Sequence, residues 1–135
     1  MPYVNLKMIK NQVSSEKKKE IIRGLTDLIV EVMGRERKYT VITIDELEPS
    51  QWAIGGTLLD EEVSNQEIMM FVNIKVSKGT TNPEEMNKMI QAIKQLFIDI
   101  VGSSAMTNYV IIDELSPAGW GFDGISMVER NKIEG

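Results

Sequence analysis

Apolar and polar residues alternate along the first stretch of the chain and then recur at helical spacing. Between positions 3 and 9 the alternation predicts a β-strand with Val4, Leu6 and Met8 on its buried face. Apolar residues three and four positions apart then predict an amphipathic helix. These residues are Ile21, Ile22, Leu25, Leu28, Ile29, Val32 and Met33. A second strand is predicted over residues 40–47, so this half of the chain has the order strand, helix, strand.

The same pattern returns after a shift of 68 residues without a gap, since position 2 aligns with position 70. The letters Ile-Asp-Glu-Leu at 44–47 recur at 112–115, and Trp52 recurs as Trp120. The helical stripe recurs as Met89, Ile90, Ile93, Leu96, Phe97, Ile100 and Val101. Matches in one register over several segments indicate a tandem duplication of one β-α-β unit.

The two units predict a single α+β domain. Ser14 and Asn82 are suitable helix N-caps, and Gly34 and Gly102 stand where a helix C-terminal glycine belongs. A helix between two strands predicts a right-handed parallel pair. Because one unit leaves sheet edges open, we expect a four-stranded mixed sheet with two helices on one face. Within 1–135 the expected boundaries are repeat 1 at about 2–56, a linker at 57–67, repeat 2 at about 70–124 and a tail at 125–135.

Composition restricts the chemistry that is open to the chain. It has no cysteine and no histidine, which excludes thiolate nucleophiles, zinc–sulfur sites, the commonest general base and the commonest metal ligand, so we expect no metal. A net charge of −5 argues against a nucleic-acid partner. No apolar run approaches the ~20 residues that span a bilayer. The N-terminal residues also lack the features of a signal peptide, so we expect no membrane partner and a cytoplasmic location.

Several segments of the first repeat resemble one family. These are Pro2, Ser-Glu-Lys at 15–17, Ile-Ile-Arg at 21–23, Ile-Asp-Glu at 44–46 and Trp-Ala-Ile-Gly-Gly at 52–56. They resemble the 4-oxalocrotonate tautomerase family of the tautomerase superfamily, whose short subunit is one β-α-β unit that begins with proline once the initiator methionine is removed. The second repeat keeps the shape and lacks the proline, so the chain resembles a fused form of two subunits.

The resemblance implies that Pro2 is the catalytic base. Its nitrogen is a secondary amine only when Met1 is absent, and an apolar pocket or nearby cations would bring its pKa toward neutrality. Position 70 carries an acylated nitrogen whatever its side chain, so we expect one competent site per chain. The second repeat is then a scaffold and part of a neighbour's pocket.

The two substrate-binding arginines of the family have no charged counterpart here. Their positions correspond to Gln12 or Val13, before the helix, and to Val41 in the second strand. A carboxylate substrate nevertheless requires local positive charge. The remaining cations and the aromatic residues near these positions are therefore the candidates for binding the substrate.

Arg35, Arg37 and Lys38 form the arginine-rich cluster of the chain. If the second strand extended back to position 37, Arg37 would share a face with Val41 and reach the substrate; the alternative is a solvated loop charge. Tyr109 occupies the Val41 place in the second repeat and is expected either to donate a hydrogen bond or to pack half-buried. Trp52 is expected to form an apolar wall of the site.

The predicted function is a cofactor-independent tautomerase that acts on an unsaturated 2-hydroxy or 2-oxo acid resembling 2-hydroxymuconate. Alternatives are a dehalogenase or decarboxylase of the same superfamily, or a non-catalytic assembly or binding protein that retains the fold. The expected partner is a small-molecule carboxylic acid. The unfused family member is a hexamer of three dimers, so a chain that replaces one dimer is expected to form a homotrimer.

Overall fold

The computed structural model describes residues 1–61 and 67–134. The first repeat contains β1 (Tyr3–Ile9), α1 (Ser15–Glu31) and β2 (Val41–Leu47), followed by a hairpin of β3 (Ala53–Ile54) and β4 (Thr57–Leu58). The second repeat contains β5 (Met70–Ser77), α2 (Pro83–Val101) and β6 (Val110–Leu115), followed by a hairpin of β7 (Gly121–Phe122) and β8 (Ile125–Ser126), and by α3 (Met127–Glu134). Short 3-10 turns cover Arg37–Tyr39, Pro49–Gln51 and Leu59–Glu61.

The main sheet has four strands in the order β2-β1-β5-β6. The outer pairs β1–β2 and β5–β6 are parallel, and the central pair β1–β5 is antiparallel. The predicted mixed sheet of two β-α-β units is therefore confirmed. The two parallel pairs have the same register, because Val4 lies opposite Ile42 and Val72 lies opposite Val110, 68 residues later in each case.

An approximate two-fold axis relates the two repeats. Asn5 of β1 lies directly opposite Asn73 of β5, and these residues occupy equivalent positions in the duplication. Consequently the start of each repeat lies beside the end of the first strand of the other repeat. This arrangement brings a hairpin of one repeat to the N-terminal end of the other.

The hydrophobic core lies between the sheet and the two long helices. Alternate strand residues and one face of each helix are buried together: Val4, Leu6, Met8, Ile21, Leu25, Ile29, Val72, Ile74, Val76, Met89, Ile93 and Phe97. Both helices begin as predicted, since the side chain of Ser14 accepts from the Lys17 amide and Asn82 accepts from the Glu85 amide. Gly102 ends α2 with φ of 84°, a conformation that glycine adopts without strain.

The segments after the second strands are more ordered than the sequence indicated. The expected linker at 57–67 begins with β4 and a 3-10 turn, while residues 62–66 lie outside the described part. The expected tail contains β8 and the eight-residue helix α3. None of the helices in the described segments has the length and apolar character needed to cross a bilayer.

Candidate active site

Pro2 is buried at the start of β1 and lines a cavity of about 380 Å³, called here the proline cavity. The first repeat contributes Met1, Pro2, Tyr3, Lys38, Tyr39 and Val41, and the second contributes Trp120, Gly121, Phe122 and Met127. Both repeats therefore build this one cavity, with aromatic side chains on either side of the proline.

The aromatic wall from the second repeat is held by specific contacts. The Trp120 indole nitrogen donates to Ser77 Oγ at 3.0 Å, which ties the turn after β6 to the end of β5. The Phe122 ring centroid lies 5.1 Å from that of Tyr39, a separation typical of a favourable aromatic pair. The Arg130 guanidinium carbon lies 3.8 Å from the Phe122 ring centroid. Phe122 thus contacts one partner from each repeat.

The terminal amine lies in an environment that disfavours its charged form. In this structure Met1 carries the amine, so the Pro2 nitrogen is an amide. Burial lowers the pKa of the Met1 amine, Arg35 lowers it further, and Glu36 opposes the shift. Removal of Met1 transfers the amine to Pro2, which is buried, whereas Met1 is half-buried. Burial disfavours the charged form of an amine at either position.

Arg35 is the cation that acts on the amine. It lines a cavity of about 370 Å³ that shares Met1, Lys38 and Tyr39 with the proline cavity. Arg35 Nη2 donates to the carbonyl oxygen of Thr80 at 2.7 Å and to its Oγ1 at 2.8 Å. Arg35 Nε is buried, and no residue of 1–61 or 67–134 accepts a hydrogen bond from it. Burial lowers the pKa of Arg35, and Glu85 opposes the shift.

Arg37 lies apart from the proline cavity. Residues 37–39 form a 3-10 turn and not the start of the strand, so the strand alternation that would align Arg37 with Val41 does not apply. The Arg37 guanidinium instead pairs with Asp27 of α1, and its side chain is 55% exposed. Lys38 of the same cluster does line the proline cavity.

Trp52 and Tyr109 lie together in a different place, a cavity of about 490 Å³ called here the Trp52 cavity. It is the larger of the two, and it lies at the opposite end of β1 from Pro2. Its lining comprises Lys7, Leu47, Gln51, Trp52, Ala53, Ile54, Gly55, Phe71, Thr107 and Tyr109. Within one chain Trp120, and not Trp52, stands beside Pro2.

Sequence patterns did not indicate Trp120, Phe122 and Met127 as site residues. The available signal was the duplication itself, because two β-α-β units that share a sheet around a two-fold axis must exchange their hairpins. What the sequence did not specify is that the central strands run antiparallel. Without that fact, distance along the sequence was the available guide, and Trp52 is nearer to Pro2 in sequence than Trp120 is.

Comparison with known proteins connects this geometry to a family. The family model described as Tautomerase enzyme matches residues 2–62 and again residues 71–130. The two matches correspond to the two repeats. Each repeat by itself therefore carries the sequence pattern of one family unit.

Relatives match at both the one-repeat and the two-repeat level. Probable tautomerase K2 of Dickeya dadantii (strain 3937) is 43% identical over 61 residues, 45% of this chain and 91% of the relative. The 2-hydroxymuconate tautomerase of Bacillus subtilis (strain 168) is 28% identical over 61 residues, 45% of this chain and 97% of the relative. The solved structure of a fused 4-OT wild-type symmetric trimer superposes with a TM-score of 0.81 at 16% identity, covering 95% of this chain and 98% of that one.

Proposed function

The chain belongs to the tautomerase family, and on that premise we propose that it converts an unsaturated 2-hydroxy acid into its keto form with the Pro2 amine as general base. The observation that carries this proposal is the position of Pro2, which is buried and lines one cavity together with Tyr39, Trp120 and Phe122. Burial and Arg35 lower the pKa of the terminal amine, which Met1 carries in this structure. An amine whose pKa is lowered toward neutrality is free to accept a proton at working pH.

The reaction moves one proton within the substrate. The Pro2 amine takes the proton of the enol hydroxyl, the O–H electrons form the carbonyl, and the conjugated double bond shifts along the chain of carbons. The resulting prolinium then delivers the proton to a terminal carbon of the conjugated system, which restores the free amine. No redox step is needed, and the aromatic walls suit a planar substrate.

Arg35 and Lys38 are the cations placed to hold the substrate carboxylate. Lys38 lines the proline cavity, and Arg35 lines the adjoining cavity with a buried Nε that has no acceptor in the described residues. A carboxylate bound between them would direct the conjugated carbons toward Pro2 and would stabilise negative charge in the dienolate. The relative named 2-hydroxymuconate tautomerase supports a dicarboxylic enol as the substrate class.

The test uses two forms of one protein. Intact-mass measurement separates chains with and without Met1, and each form is assayed for ketonisation of phenylenolpyruvate and 2-hydroxymuconate. We expect turnover only from the form that begins with Pro2. Equal rates for the two forms would show that the amine of Pro2 is not the base.

A binding protein without activity is the rival from another class. It would retain Met1 and still bind enol acids, because the cavity walls do not depend on the amine. Binding without turnover by the Pro2-terminated form would favour it over the enzyme.

We also propose that the chain assembles as a homotrimer. Large apolar side chains are exposed on the edge strands β2 and β6 and just before β6: Val41 is 53% exposed, Ile111 37% and Tyr109 67%. Uncovered strand edges favour association. The fused 4-OT that shares the fold is a symmetric trimer. Light scattering should give three chains per particle, and a monomer at micromolar concentration would contradict the proposal.

A further inference from the structure

We propose that the Trp52 cavity binds a planar unsaturated carboxylic acid and does not turn it over. The ligand class rests on the proposed function, because the argument equates the two cavities position by position. The prediction of a bound, unreacted acid goes beyond that function and is tested separately from it.

Corresponding residues of the two repeats line the two cavities. Six lining residues of the Trp52 cavity are the 68-residue counterparts of lining residues of the proline cavity. In each of the following pairs the first residue lines the Trp52 cavity and the second lines the proline cavity: Phe71 and Tyr3, Thr107 and Tyr39, Tyr109 and Val41, Trp52 and Trp120, Ala53 and Gly121, and Ile54 and Phe122. Duplication has therefore produced a second cavity with a flat aromatic lining, and this one is larger.

The Trp52 cavity lacks the base. The counterpart of Pro2 is Met70, which is 1% exposed and whose backbone nitrogen donates to Asn108 Oδ1 at 3.0 Å. This nitrogen is an amide with its proton already committed, so it has no basic lone pair to offer. An enol acid bound here would keep its proton.

Hydrogen-bond donors in the Trp52 cavity remain available to a ligand. Trp120 donates its indole N–H to Ser77, but the counterpart of Ser77 in the first repeat is Ile9, whose side chain has no acceptor. Among the described residues, neither the indole nitrogen of Trp52 nor the hydroxyl of Tyr109 makes a hydrogen bond. A carboxylate or a 2-oxo group would supply the acceptors that these donors lack.

Lys7 supplies the positive charge. Lys7 lines the Trp52 cavity, and its ammonium nitrogen lies 3.1 Å from Asp45 Oδ2, with its side chain 40% exposed. The counterpart Lys75 makes the same pair with Asp113 at 3.0 Å but does not line the proline cavity. The two lysines thus form a matched pair in which only one faces a cavity, and an ammonium with one carboxylate partner retains donors for a second.

The experiment uses the two tryptophans as separate reporters. The processed protein is labelled with 5-fluorotryptophan, and its two fluorine resonances are assigned with Trp52→Phe and Trp120→Phe. The probe is trans-cinnamate, a planar unsaturated carboxylate without an enol proton, and cinnamamide is its uncharged control. We expect cinnamate to shift the Trp52 resonance saturably and cinnamamide to shift it much less.

The outcomes distinguish the inference from the proposed function. A Trp52 resonance that stays unchanged while the Trp120 resonance shifts would overturn the inference and leave the proline cavity as a substrate site. A saturable Trp52 shift without a Trp120 shift would support the inference and count against the proposed function. If neither resonance moves, or if a segment of a neighbouring chain occupies the Trp52 cavity, the inference is also overturned.

The lysine pair provides the matched variants. Lys7→Gln should weaken cinnamate binding at the Trp52 reporter about threefold to tenfold, whereas Lys75→Gln should leave that affinity unchanged. Both variants leave one aspartate without its lysine, so their structural effects are comparable. Equal losses of affinity in the two variants would show that Lys7 does not contact the ligand.

Discussion

The proline cavity and the Trp52 cavity have equivalent walls but differ in what lies at the end of the strand. In the first, the chain begins, and the backbone nitrogen of position 2 becomes an amine once Met1 is removed. In the second, the chain continues through Met70, whose nitrogen is an amide bonded to Asn108. Under the proposed function, catalysis depends on a chain terminus more than on any side chain. The same β-α-β unit would then serve as an enzyme site or as a binding site according to whether its first strand begins the chain.

Blocking the amine should have the largest effect. An N-terminal tag left uncut, or a retained Met1, should reduce kcat by about 10²–10⁴, the usual contribution of a general base. Pro2→Ala keeps a primary amine and should show a smaller loss. Circular dichroism and light scattering should be unchanged in each form.

The second repeat provides the control for this prediction. Met70→Pro places a proline at the equivalent position, but its nitrogen stays acylated and loses the hydrogen bond to Asn108. We expect no new activity from it when the Pro2 amine is blocked, only a lower free energy of unfolding. Turnover by this double variant would refute the dependence on a free terminus.

Substitution of Arg35 should raise KM much more than substitution of Arg37. Arg35→Ala should raise KM about tenfold or more, as expected for loss of a charged hydrogen bond. Because Arg35 lowers the pKa of the amine, the rise of kcat/KM with pH should also move to higher pH. Arg37→Ala removes an exposed pair with Asp27 and should change KM less than about twofold. A pH profile of kcat/KM for both variants checks the difference, and equal effects would contradict it.

The β7–β8 hairpin leaves no room for a Cβ at Gly121, one of several positions at which it differs from the β3–β4 hairpin. A Cβ added to Gly121 would lie 2.2 Å from the carbonyl oxygen of Ile125, so Gly121→Ala must distort the β7–β8 hairpin that carries Phe122. We expect about 1–3 kcal/mol less stability, as for other overpacked sites, and a lower kcat/KM. Urea unfolding and the tautomerase assay provide the two readouts.

The counterpart of Gly121 is Ala53, whose hairpin already accommodates a Cβ. Ala53→Gly should therefore leave kcat/KM unchanged and lower stability only slightly, through chain entropy. If Ala53→Gly lowered kcat/KM as much as Gly121→Ala does, turnover would not depend on the β7–β8 hairpin alone.

The smallest effect concerns two equivalent aspartates. Hydrogen bonds from Lys7 and then Asn5 lower the pKa of Asp45, and hydrogen bonds from Asn73 and then Lys75 lower the pKa of Asp113. A lowered pKa in the folded state contributes stability that is present above about pH 4 and is lost as pH falls through the folded value. The gap in urea midpoint between the parent and Asp45→Asn should therefore narrow below about pH 4. We expect the same result for Asp113→Asn. A difference in urea midpoint that widens in acid would contradict a lowered pKa for these aspartates.

The duplication made most of the fold predictable. The strand and helix patterns recur with one offset, so each repeat checks the element assignment of the other, and the caps at Ser14 and Asn82 mark the helix starts. The two-residue strands of the hairpins are too short to show a period, and α3 has little amphipathic pattern. These elements depend on packing against the other repeat, which local sequence does not encode.

The site was less predictable because it depends on tertiary geometry. The prediction of Arg37 assumed a strand at 37–39, where a 3-10 turn places the side chain toward α1. The prediction of Trp52 assumed that a hairpin serves its own repeat. Pro2 followed from the resemblance to the tautomerase family together with the basicity of a terminal backbone nitrogen; its role as the base stays a prediction until the assay is done.

Trp120 and Pro2 lie on one chain, and this affects how specific activity depends on protein concentration. In an unfused assembly the wall beside each proline would belong to another subunit and would be lost when subunits separate. Here Trp120 and Phe122 belong to the same polypeptide as Pro2, so their effective concentration at the proline stays high whatever the amount of protein. Any fall in specific activity on dilution would then report only the separation of whole chains.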